Sequence, residues 1–453
     1  MPTHLADWLT HLESLHPKTI ALGLERVAQV KQRLDLNPDF PIMIVGGTNG
    51  KGSVCAMLEA ILHAAGYKVG CYTSPHLLDY NERVRIAKQQ ASDAELCASF
   101  EQIEQVRGDI ALTYFEFGTL AAMQCFIAHK VDVAILEVGL GGRLDAVNAF
   151  DADVSVVTSV DIDHVDYLGD TREKIAFEKA GIFRQGHVAI CADSDVPQSL
   201  RTHAGDIGAE LWCIGSEFGF TAHQGQWDYR SKVGSRSALP HPALRGAFQL
   251  HNASAVLAAL DALKDKTPVS MEAVRRGLSE VELTGRFQFV PGKPQLILDV
   301  AHNPHAARSL ALNLANLPPA KTFAVFAMLK DKDMAGVVQA LDAQVDEWLV
   351  AGIDAPRGAS ATELAQVLKD GGVRGEVVVC DSIAESLHEA SKRASENGDC
   401  DTLLQGGRLR EQSPDTLSHT GRLRAPCREC RIAAFGSFYT VAEVMQVRGM
   451  RTR

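Results

Sequence analysis

The hydrophobic positions of this chain fall into two patterns that alternate along its length. Short continuous apolar runs, such as residues 42–45, are typical of strands buried on both faces. Longer stretches, such as residues 54–65, repeat their apolar positions every three or four residues, which is the spacing of a helix with one buried side. Strands and helices that alternate in this way predict an α/β protein with mostly parallel sheets.

The predicted elements form two series. The first has strands at residues 42–45, 68–72, 131–138 and 154–160 and near residues 188 and 211. Its helices are predicted at residues 3–16, in a segment ending near 34, and at 54–65, 113–129, 171–183 and 249–260. Residues 219–248 are polar and irregular, and could form a small antiparallel sheet. The second series has strands at 295–299, 322–327, 347–351, 376–379 and 431–435, with helices near 305–316, 334–344, 362–370 and 382–396.

The length of the chain predicts more than one domain, because 453 residues exceed what a single hydrophobic core usually holds. The regular pattern breaks near residues 283–290. We therefore predict an N-terminal domain over residues 1–283, a linker and hinge at 284–290, and a C-terminal domain over 291–453.

The first predicted strand runs into a glycine-rich loop. This loop holds one lysine, Lys51, among glycines at positions 46, 47, 50 and 52, and the next helix starts around Ser53. Glycines let backbone N–H groups turn toward an anion, and a helix N-terminus adds a positive field. Lys51 can reach the outer phosphates of a nucleotide, and Ser53 can place a hydroxyl near a bound Mg²⁺.

The match to the standard P-loop pattern is incomplete. Val45 stands where that pattern has a glycine, and Gly52 stands where a Ser or Thr follows the lysine. An ordinary glycine-rich turn is the alternative, but the flanking strand and helix favour a phosphate-binding loop. The predicted fold is a P-loop domain with a mostly parallel sheet, followed by a second, smaller Rossmann-like α/β domain.

Polar residues follow several predicted strands. In open α/β sheets ligands collect at the carboxyl ends of strands. Glu137 lies inside an otherwise apolar strand, and a buried carboxylate needs a cation, for which Mg²⁺ bridging to a nucleotide is suitable. Three other strands are followed by candidate ligand-binding residues. Ser74 could also be a plain turn residue, and His164, which follows Asp161 and Asp163, could be structural. The last candidates are the pair Asp299 and His302.

Other residues keep two interpretations open. The segment Thr113-Tyr114-Phe115-Glu116 could form a platform for a flat heterocycle, although core packing is the commoner use of two aromatic residues. Asn252 is either a polar group at a helix start or an amide that reads a base edge. From its surroundings in the sequence alone, Lys179 is expected to be a solvated surface lysine.

One glycine motif is rejected as a dinucleotide site. Gly139, Gly141 and Gly142 resemble a dinucleotide fingerprint, but the third glycine directly follows the second, and no helical pattern opens there.

Composition narrows the class of protein. Apolar residues make up 46% and charged residues 22% of the chain, which is usual for a globular protein. A net charge of -11 argues against nucleic-acid binding through bulk charge. The ten cysteines, with no signal pattern and no apolar run of membrane length, predict a reducing, cytoplasmic setting.

Residues 398–430 interrupt the second series. They have few large apolar residues and no clear period, and two Gly-Arg-Leu-Arg runs lie within them. Zinc binding by Cys400, Cys427, Cys430 and His419 would need an unusual spacing. A disordered insertion is the preferred interpretation.

Taken together, the motifs resemble the Mur ligase superfamily of ATP-dependent amide-forming enzymes and, within it, the bacterial dihydrofolate synthase/folylpolyglutamate synthase branch. The glycine loop and the Asp299 motif point to the superfamily, and the Thr113 and Glu137 motifs point to the folate branch. The matching segments cover nearly the whole chain apart from 398–430; they are residues 47–53, 73–76, 113–116, 137–145, 163–164, 178–181, 299–304 and 435–438.

The resemblance implies a set of roles. Lys51, Lys179 and His164 would be catalytic, and Lys179 would be carbamylated and would face a second Mg²⁺. Mg²⁺ would be held by Ser74, Glu137, His164 and Lys179. ATP would be held by Gly47, Thr48, Asn49, Gly50, Lys51, Gly52, Ser53, Asn252, Arg286, Asp299 and His302. The pterin would be held by Ile20, Ala21, Leu22, Thr113, Tyr114, Phe115, Glu116, Leu144, Asp145 and Ala146.

The resemblance also implies the reaction. ATP would phosphorylate the carboxylate of dihydropteroate, and L-glutamate would displace the phosphate to give dihydrofolate; reduced folates would then receive further glutamates. The expected protein is a monomer that binds neither nucleic acid nor membrane. Two rivals remain: a cell-wall Mur ligase, which residues 113–116 disfavour, and a P-loop switch protein, which the strand-end sites in two domains disfavour.

Overall fold

The computed structural model describes residues 2–16, 20–398 and 429–452. These divide into two compact units: the first ends at Thr284 and also includes Thr452, and the second runs from Gly285 to Arg451. The predicted insertion and zinc site at 398–430 lie almost wholly outside the described residues.

The first unit contains both helices and strands. Its helices are α1 (Leu5–Ser14), α2 (Glu25–Arg33), α3 (Lys51–Ala64), α4 (Asp93–Arg107), α5 (Tyr114–His129), α6 (Val165–Leu168), α7 (Arg172–Ala180), α8 (Gln198–Ile207), α9 (Gln249–Ala262) and α10 (Met271–Glu280). Its strands are β1 (Ile42–Gly46), β2 (Val69–Tyr72), β3 (Val84–Ile86), β4 (Gln89–Gln90), β5 (Val133–Glu137), β6 (Val154–Val157), β7 (Val188–Cys191), β8 (Glu210–Cys213), β9 (Phe218–Ala222), β10 (Gln226–Ser231) and β11 (Gly234–Pro240).

The main sheet of this unit has the order β4-β3-β2-β5-β1-β6-β7-β8. Strands β2, β5, β1, β6, β7 and β8 are parallel to one another, whereas β3 and β4 form an antiparallel edge beside β2. Both faces are covered, because successive residues of β1 enter different cores: Ile42 and Ile44 join one apolar cluster, and Met43 and Val45 join the other. Helices α3 and α9 cover the second face, and α10 packs on α3.

The predicted antiparallel patch is a three-stranded sheet in the order β11-β10-β9. The buried carboxylate of Asp261, on α9, pairs with Arg236 at 2.5 Å and accepts a hydrogen bond from the hydroxyl of Tyr229 at 3.0 Å. This polar cluster holds α9 against the small sheet and so fixes the helix that carries Asn252.

The second unit is a smaller α/β layer. Its helices are α11 (Pro304–Ala315), α12 (Met334–Leu341), α13 (Ala361–Asp370), α14 (Ile383–Gly398) and α15 (Phe438–Val447), and its strands are β12 (Gln288–Val290), β13 (Gln295–Leu298), β14 (Lys321–Phe326), β15 (Glu347–Val350), β16 (Glu376–Val379) and β17 (Cys430–Phe435). The sheet order is β12-β13-β17-β14-β15-β16, and all pairs but β12 with β13 are parallel. The predicted fold class is confirmed.

Several boundaries differ from the sequence-based expectations. The predicted linker at 284–290 was wrong in part, because Gln288–Val290 pairs with β13 as a strand of the second sheet. Strand β6 ends at Val157, since the chain then turns to meet the glycine loop. The pattern analysis did not assign residues 77–112, which contain β3, β4 and α4. Within the described residues, no helix is long and apolar enough to cross a membrane.

Candidate active site

The sheet register brings four strand ends to one edge. Val45 of β1 lies beside Glu137 of β5, Tyr72 of β2 lies beside Leu136, and Gly46 lies beside Val157 of β6. Because these strands are parallel, the segments that follow them emerge together. The glycine loop, Ser74, Glu137 and the segment after Val157 therefore share one edge of the sheet, where ligands of such folds bind.

The glycine loop is fixed by the segment that follows β6. The backbone N–H of Thr48 donates to the carbonyl of Ser159 at 2.7 Å, and the hydroxyl of Thr158 donates to the carbonyl of Asn49 at 2.6 Å. At Gly47 and Gly50 the φ angles are 140° and 91°. A Cβ at Gly50 would lie 2.7 Å from Oδ1 of Asn252, so the loop has no room for a side chain there.

Lys51 is the first residue of α3, and its side chain folds over the loop. Its ammonium donates to the carbonyls of Gly47 at 3.0 Å and of Thr48 at 3.1 Å. The positive charge and the N-terminus of α3 therefore lie together. An incoming phosphate can replace these two carbonyl bonds with stronger charge-assisted ones.

Asn252 lies beside the loop, inside the first turns of α9 and not at its N-cap. Its amide nitrogen donates to Oε1 of Gln249 at 3.1 Å. Gln249 in turn donates to the hydroxyl of the buried Ser53 at 3.5 Å. Gln249 was missed by the sequence analysis, since a single glutamine carries no local signal.

Glu137 and Ser74 meet at the same edge. The backbone N–H of Ser74 donates to Oε2 of Glu137 at 3.1 Å, and Glu137 is only 5% exposed. Among the described residues, no group of three or more His, Cys, Asp or Glu side chains is arranged to hold a metal ion. A carboxylate and a hydroxyl nevertheless fit Mg²⁺, which commonly takes one or two protein oxygens and fills its remaining positions with water and phosphate.

His164 has a left-handed backbone, with φ of 52°, directly before α6. Its Nε2 lies 3.9 Å from Oδ1 of Asp163, and its backbone N–H donates to the same carboxylate at 2.8 Å. Positive φ is uncommon outside glycine and often marks a functional position. His164 thus has a fixed backbone, but its role in holding a metal stays a prediction.

Lys179 is buried in the last turn of α7, with 3% of its surface exposed, so the expectation of a solvated lysine was wrong. Burial, followed by the charge of Lys51, lowers the pKa of Lys179 to about 7, while Asp163 and Asp145 oppose the shift. A substantial fraction of this amine is therefore neutral near pH 7.

The glycines of residues 139–145 allow a turn to pack on α7 and so enclose Lys179. A Cβ at Gly142 would lie 2.9 Å from the carbonyl of Glu178. Arg143 donates from its backbone N–H to that carbonyl at 2.7 Å, and its guanidinium pairs with the Glu178 carboxylate at 2.8 Å. Asp145 closes the turn by accepting from Leu140, and burial raises the pKa of Asp145 to about 7.

The residues predicted to hold a pterin are partly brought together by Arg26, which the sequence analysis did not identify. Arg26 pairs with the buried Glu116 at 2.9 Å and donates to the carbonyl of Ala21 at 2.7 Å. The neighbouring Gly23 donates to the carbonyl of Leu144 at 3.3 Å. The structure thus links three predicted segments, although Arg26 and Glu116 are 90 positions apart.

Two predicted aromatic residues lie at the start of α5. The Phe115 ring is 5.7 Å from that of Tyr72, and the Tyr114 ring is 5.7 Å from that of Tyr80. The Arg83 guanidinium lies 5.4 Å from the Tyr114 ring. Thr113 caps α5 by accepting from the backbone N–H of Glu116 at 3.2 Å. The rings pack together, as the core interpretation expects, and Tyr114 and Phe115 are half-buried. Their role as a platform for a flat heterocycle stays a prediction.

In the second unit, Arg286 and His302 both lie near the ring of Phe438. The Arg286 guanidinium lies 5.2 Å from the Phe438 ring centroid, and the His302 ring lies 6.3 Å from it. Asp299 accepts backbone hydrogen bonds from Phe287 at 2.9 Å and Ala301 at 2.8 Å. Burial raises the pKa of Asp299, while Arg286 opposes that rise. Asp299 therefore organises the loop that presents Arg286.

The chain matches the Mur ligase middle domain over residues 45–260 and the Mur ligase, glutamate ligase domain over residues 285–408. Dihydrofolate synthase/folylpolyglutamate synthase from Escherichia coli K12 is 43% identical over 98% of this chain and 95% of its own length. The Haemophilus influenzae protein of the same name is 42% identical over 98% and 97%.

Solved structures agree. Escherichia coli FolC in complex with DHPP and ADP superposes with a TM-score of 0.87 at 42% identity, covering 99% of each chain. The bifunctional enzyme from Yersinia pestis, complexed with AMPPNP and Mn ion, gives 0.85 at 44% identity over 99% of this chain and 100% of its own. This chain is thus an ATP-dependent ligase and belongs to the dihydrofolate synthase/folylpolyglutamate synthase family, within the Mur ligases.

Proposed function

We propose that the protein joins L-glutamate to dihydropteroate, giving dihydrofolate, and then adds further glutamates to reduced folates. The observation that carries the proposal is the shared sheet edge, where the Lys51 loop lies next to Glu137 and Ser74. At this edge, a loop that can hold phosphate lies next to oxygen atoms that can bind a cation. Relatives of the same family with DHPP, ADP, AMPPNP and Mn bound support the choice of reactants.

The reaction begins with a poor electrophile, because a free carboxylate resists attack by an amine. Transfer of the γ-phosphoryl group from ATP to the carboxylate releases ADP and gives an acyl phosphate. The amine of glutamate then attacks the acyl carbon, phosphate leaves, and the nitrogen loses a proton to give the amide. Lys51 and the loop N–H groups, from Gly47 to Ser53, offset the negative charge on the transferred group.

The metal-binding residues are proposed as Ser74, Glu137, His164 and Lys179, with two Mg²⁺ ions. When bound, Mg²⁺ neutralises phosphate oxygens and orients the γ-phosphoryl group. The chain supplies the Glu137 carboxylate, which burial and the Ser74 N–H hold in one orientation.

Lys179 is proposed to be carbamylated. Its neutral amine attacks CO₂ through the nitrogen lone pair, one proton leaves the nitrogen, and a carbamate forms. The pKa of about 7 makes this step accessible near neutral pH, because only the unprotonated amine reacts. The product replaces a buried amine with two oxygen ligands that suit a hard cation.

Residues for the nucleotide and for the pterin remain to be assigned. Asn252 in the first unit, and Arg286, Asp299 and His302 in the second, are proposed to hold the nucleotide. Residues 20–22, 113–116 and 144–146 are proposed to hold the pterin; the contacts of Arg26 with Ala21 and Glu116 support this grouping.

The test is phosphate release from ATP with Mg²⁺, dihydropteroate and glutamate, each omitted in turn, followed by the same series with tetrahydrofolate. Release that needs all components is expected, and Lys51→Ala should abolish it, whereas replacing the exposed Lys88 by Ala should not. Release without glutamate would contradict the ligase and would favour the rival in which ATP acts as a switch.

We also propose a monomeric, cytoplasmic protein that binds neither nucleic acid nor membranes. Every cysteine that the structure describes is a free thiol, which suits a reducing compartment, and the net charge of -11 disfavours nucleic acid. Light scattering at 49.0 kDa and cell fractionation test these statements.

A further inference from the structure

A buried ion pair lies behind the candidate metal site. Glu59, in the third turn of α3, is 6% exposed at its side chain, and its partner Arg85, on β3, is 15% exposed. Their closest atoms are 2.8 Å apart. Burial pushes the pKa of Arg85 down, but the Glu59 carboxylate outweighs it and raises the pKa above the ordinary value, so the guanidinium stays protonated.

Every N–H group of the Arg85 guanidinium has an acceptor. Nε and Nη2 donate to the Glu59 carboxylate, and Nη2 also donates to the sulfur of Cys71 at 3.3 Å. Nη1 donates to the hydroxyl of Thr73 at 3.2 Å and to the carbonyl of Glu82 at 2.9 Å. A guanidinium with five placed donors cannot be replaced by an ammonium without loss of contacts.

These contacts connect the two parts of the candidate site. Glu59 belongs to α3, whose first residue is Lys51, whereas Thr73 directly precedes Ser74. Thr73 is held at its backbone N–H by the carbonyl of Arg83 at 3.0 Å and at its hydroxyl by Arg85. Ser74 then donates to Glu137. One continuous chain of contacts therefore runs from the phosphate-loop helix through Arg85 to the Ser74–Glu137 pair.

We propose that Glu59 and Arg85 are positioning residues that hold Ser74 and Glu137 in register with the phosphate loop, and so set the affinity for the divalent cation. The inference rests on the proposed function of Ser74 and Glu137 as metal ligands. Groups that orient metal ligands typically change metal affinity by about 10–100-fold when they are removed.

Stability is a weak explanation for a buried ion pair. A buried ion pair is often no more stabilising than apolar residues of similar volume, although removing one partner is costly. This difference provides a variant that separates the two roles. Replacing both residues, as Glu59→Leu with Arg85→Met, removes both charges and the bond to Thr73 and leaves no buried charge unpaired.

The experiment measures Mn²⁺ binding by electron paramagnetic resonance in the presence of ADP, together with Tm, for the full chain. The variants are Glu59→Gln, Arg85→Lys and the double variant. We expect each folded variant to bind Mn²⁺ about tenfold or more weakly, including the double variant, whose Tm should stay near that of the wild type.

The matched control is Arg107→Lys. Arg107 is also 15% exposed, pairs with Glu104 and donates to the carbonyls of Gly108 and Ile110, but it lies at the end of α4. The substitution Arg107→Lys should therefore lower Tm without changing Mn²⁺ affinity. Wild-type Mn²⁺ affinity in the double variant would overturn the positioning role, as would an equal loss of affinity in Arg107→Lys. A failure of the proposed function can be distinguished from a failure of this positioning role, because the wild-type protein would then release no phosphate from ATP in the full mixture.

Discussion

A Cβ atom on Gly47 would lie 1.9 Å from the hydroxyl of Thr158, so the glycine loop is in direct contact with the segment that follows β6. That hydroxyl also donates to the carbonyls of Gly46 and Asn49. This close contact between Gly47 and Thr158 sets the shape of the loop, because a side chain at position 47 could fit only if one of the two segments moved.

We therefore expect Gly47→Ala to weaken ATP binding at least tenfold and to destabilise the fold by more than about 1 kcal/mol, which is the usual cost of positive φ outside glycine. Isothermal titration with ADP and denaturant unfolding measure the two effects. The control is Gly66→Ala, whose φ is 93° and whose Cβ would meet nothing within 4 Å. If both variants bound ADP like the wild type, steric fit of this loop would not govern nucleotide binding.

The depressed pKa of Lys179 predicts a dependence of carbamylation on pH. Since the neutral form reacts with CO₂ and the pKa is about 7, incorporation of ¹³C-labelled CO₂ should increase as the pH rises from 6 to 8. Carbon-13 NMR measures the carbamate signal, which Lys179→Met should remove. A signal unchanged in that variant would assign the carbamate to another residue.

The same shift predicts the pH dependence of stability in buffer free of CO₂. The folded pKa of about 7 lies below the unfolded value of about 10.4, so the unfolded state binds more protons between these limits. Stability due to Lys179 is thus lost as pH falls from about 10.4 to about 7. Lys179→Met should raise the free energy of unfolding by about 4 kcal/mol at pH 7.5, and the gain should shrink toward pH 10. A constant gain at both pH values would contradict the shift.

Removal of Arg26 should affect both stability and the pterin. Arg26→Met leaves the buried Glu116 without its cation, which we expect to cost about 3 kcal/mol, and it frees the segment around Ala21. The KM for dihydropteroate should rise more than the KM for ATP. Lys174→Ala, which breaks the exposed pair with Asp170, should change stability by less than about 0.5 kcal/mol. Equal increases in both KM values would argue against a pterin role.

Arg286→Lys tests the nucleotide role of the second unit. The planar guanidinium can pair with phosphate and stack on Phe438, whereas an ammonium can do neither equally well. The KM for ATP should rise about tenfold while Tm changes little. Replacing the exposed Arg276, whose guanidinium pairs with Glu280 on the same helix, by Lys should leave both unchanged. An unaltered KM in Arg286→Lys would exclude this role.

Much of the fold could be predicted because the information is local. Strands β1, β5 and β14 are continuous apolar runs, and the glycine loop is a contiguous motif. The start of α4 also has a local signal, because Ser92 and Glu95 form a capping box. This signal could have identified α4 before the structure was known.

The errors have a physical cause in long-range packing. Lys179 looks like a surface residue in its helix, but the turn at Gly142 and Arg143, which is far from it in the chain, packs against that helix. Gln288–Val290 looks like a linker, and only pairing with β13 makes it a strand.

The sequence by itself determined most of the strands and helices, the glycine-rich loop between β1 and α3, and the family, because periodicity and motifs depend on neighbouring residues. Only the tertiary structure decided that Lys179 is buried, that Arg26 meets Glu116 and that Arg85 joins α3 to Thr73. These features depend on burial and on contacts between residues far apart in the chain. Desolvation, which shifts a pKa or strengthens an ion pair, exists only once the segments have packed together.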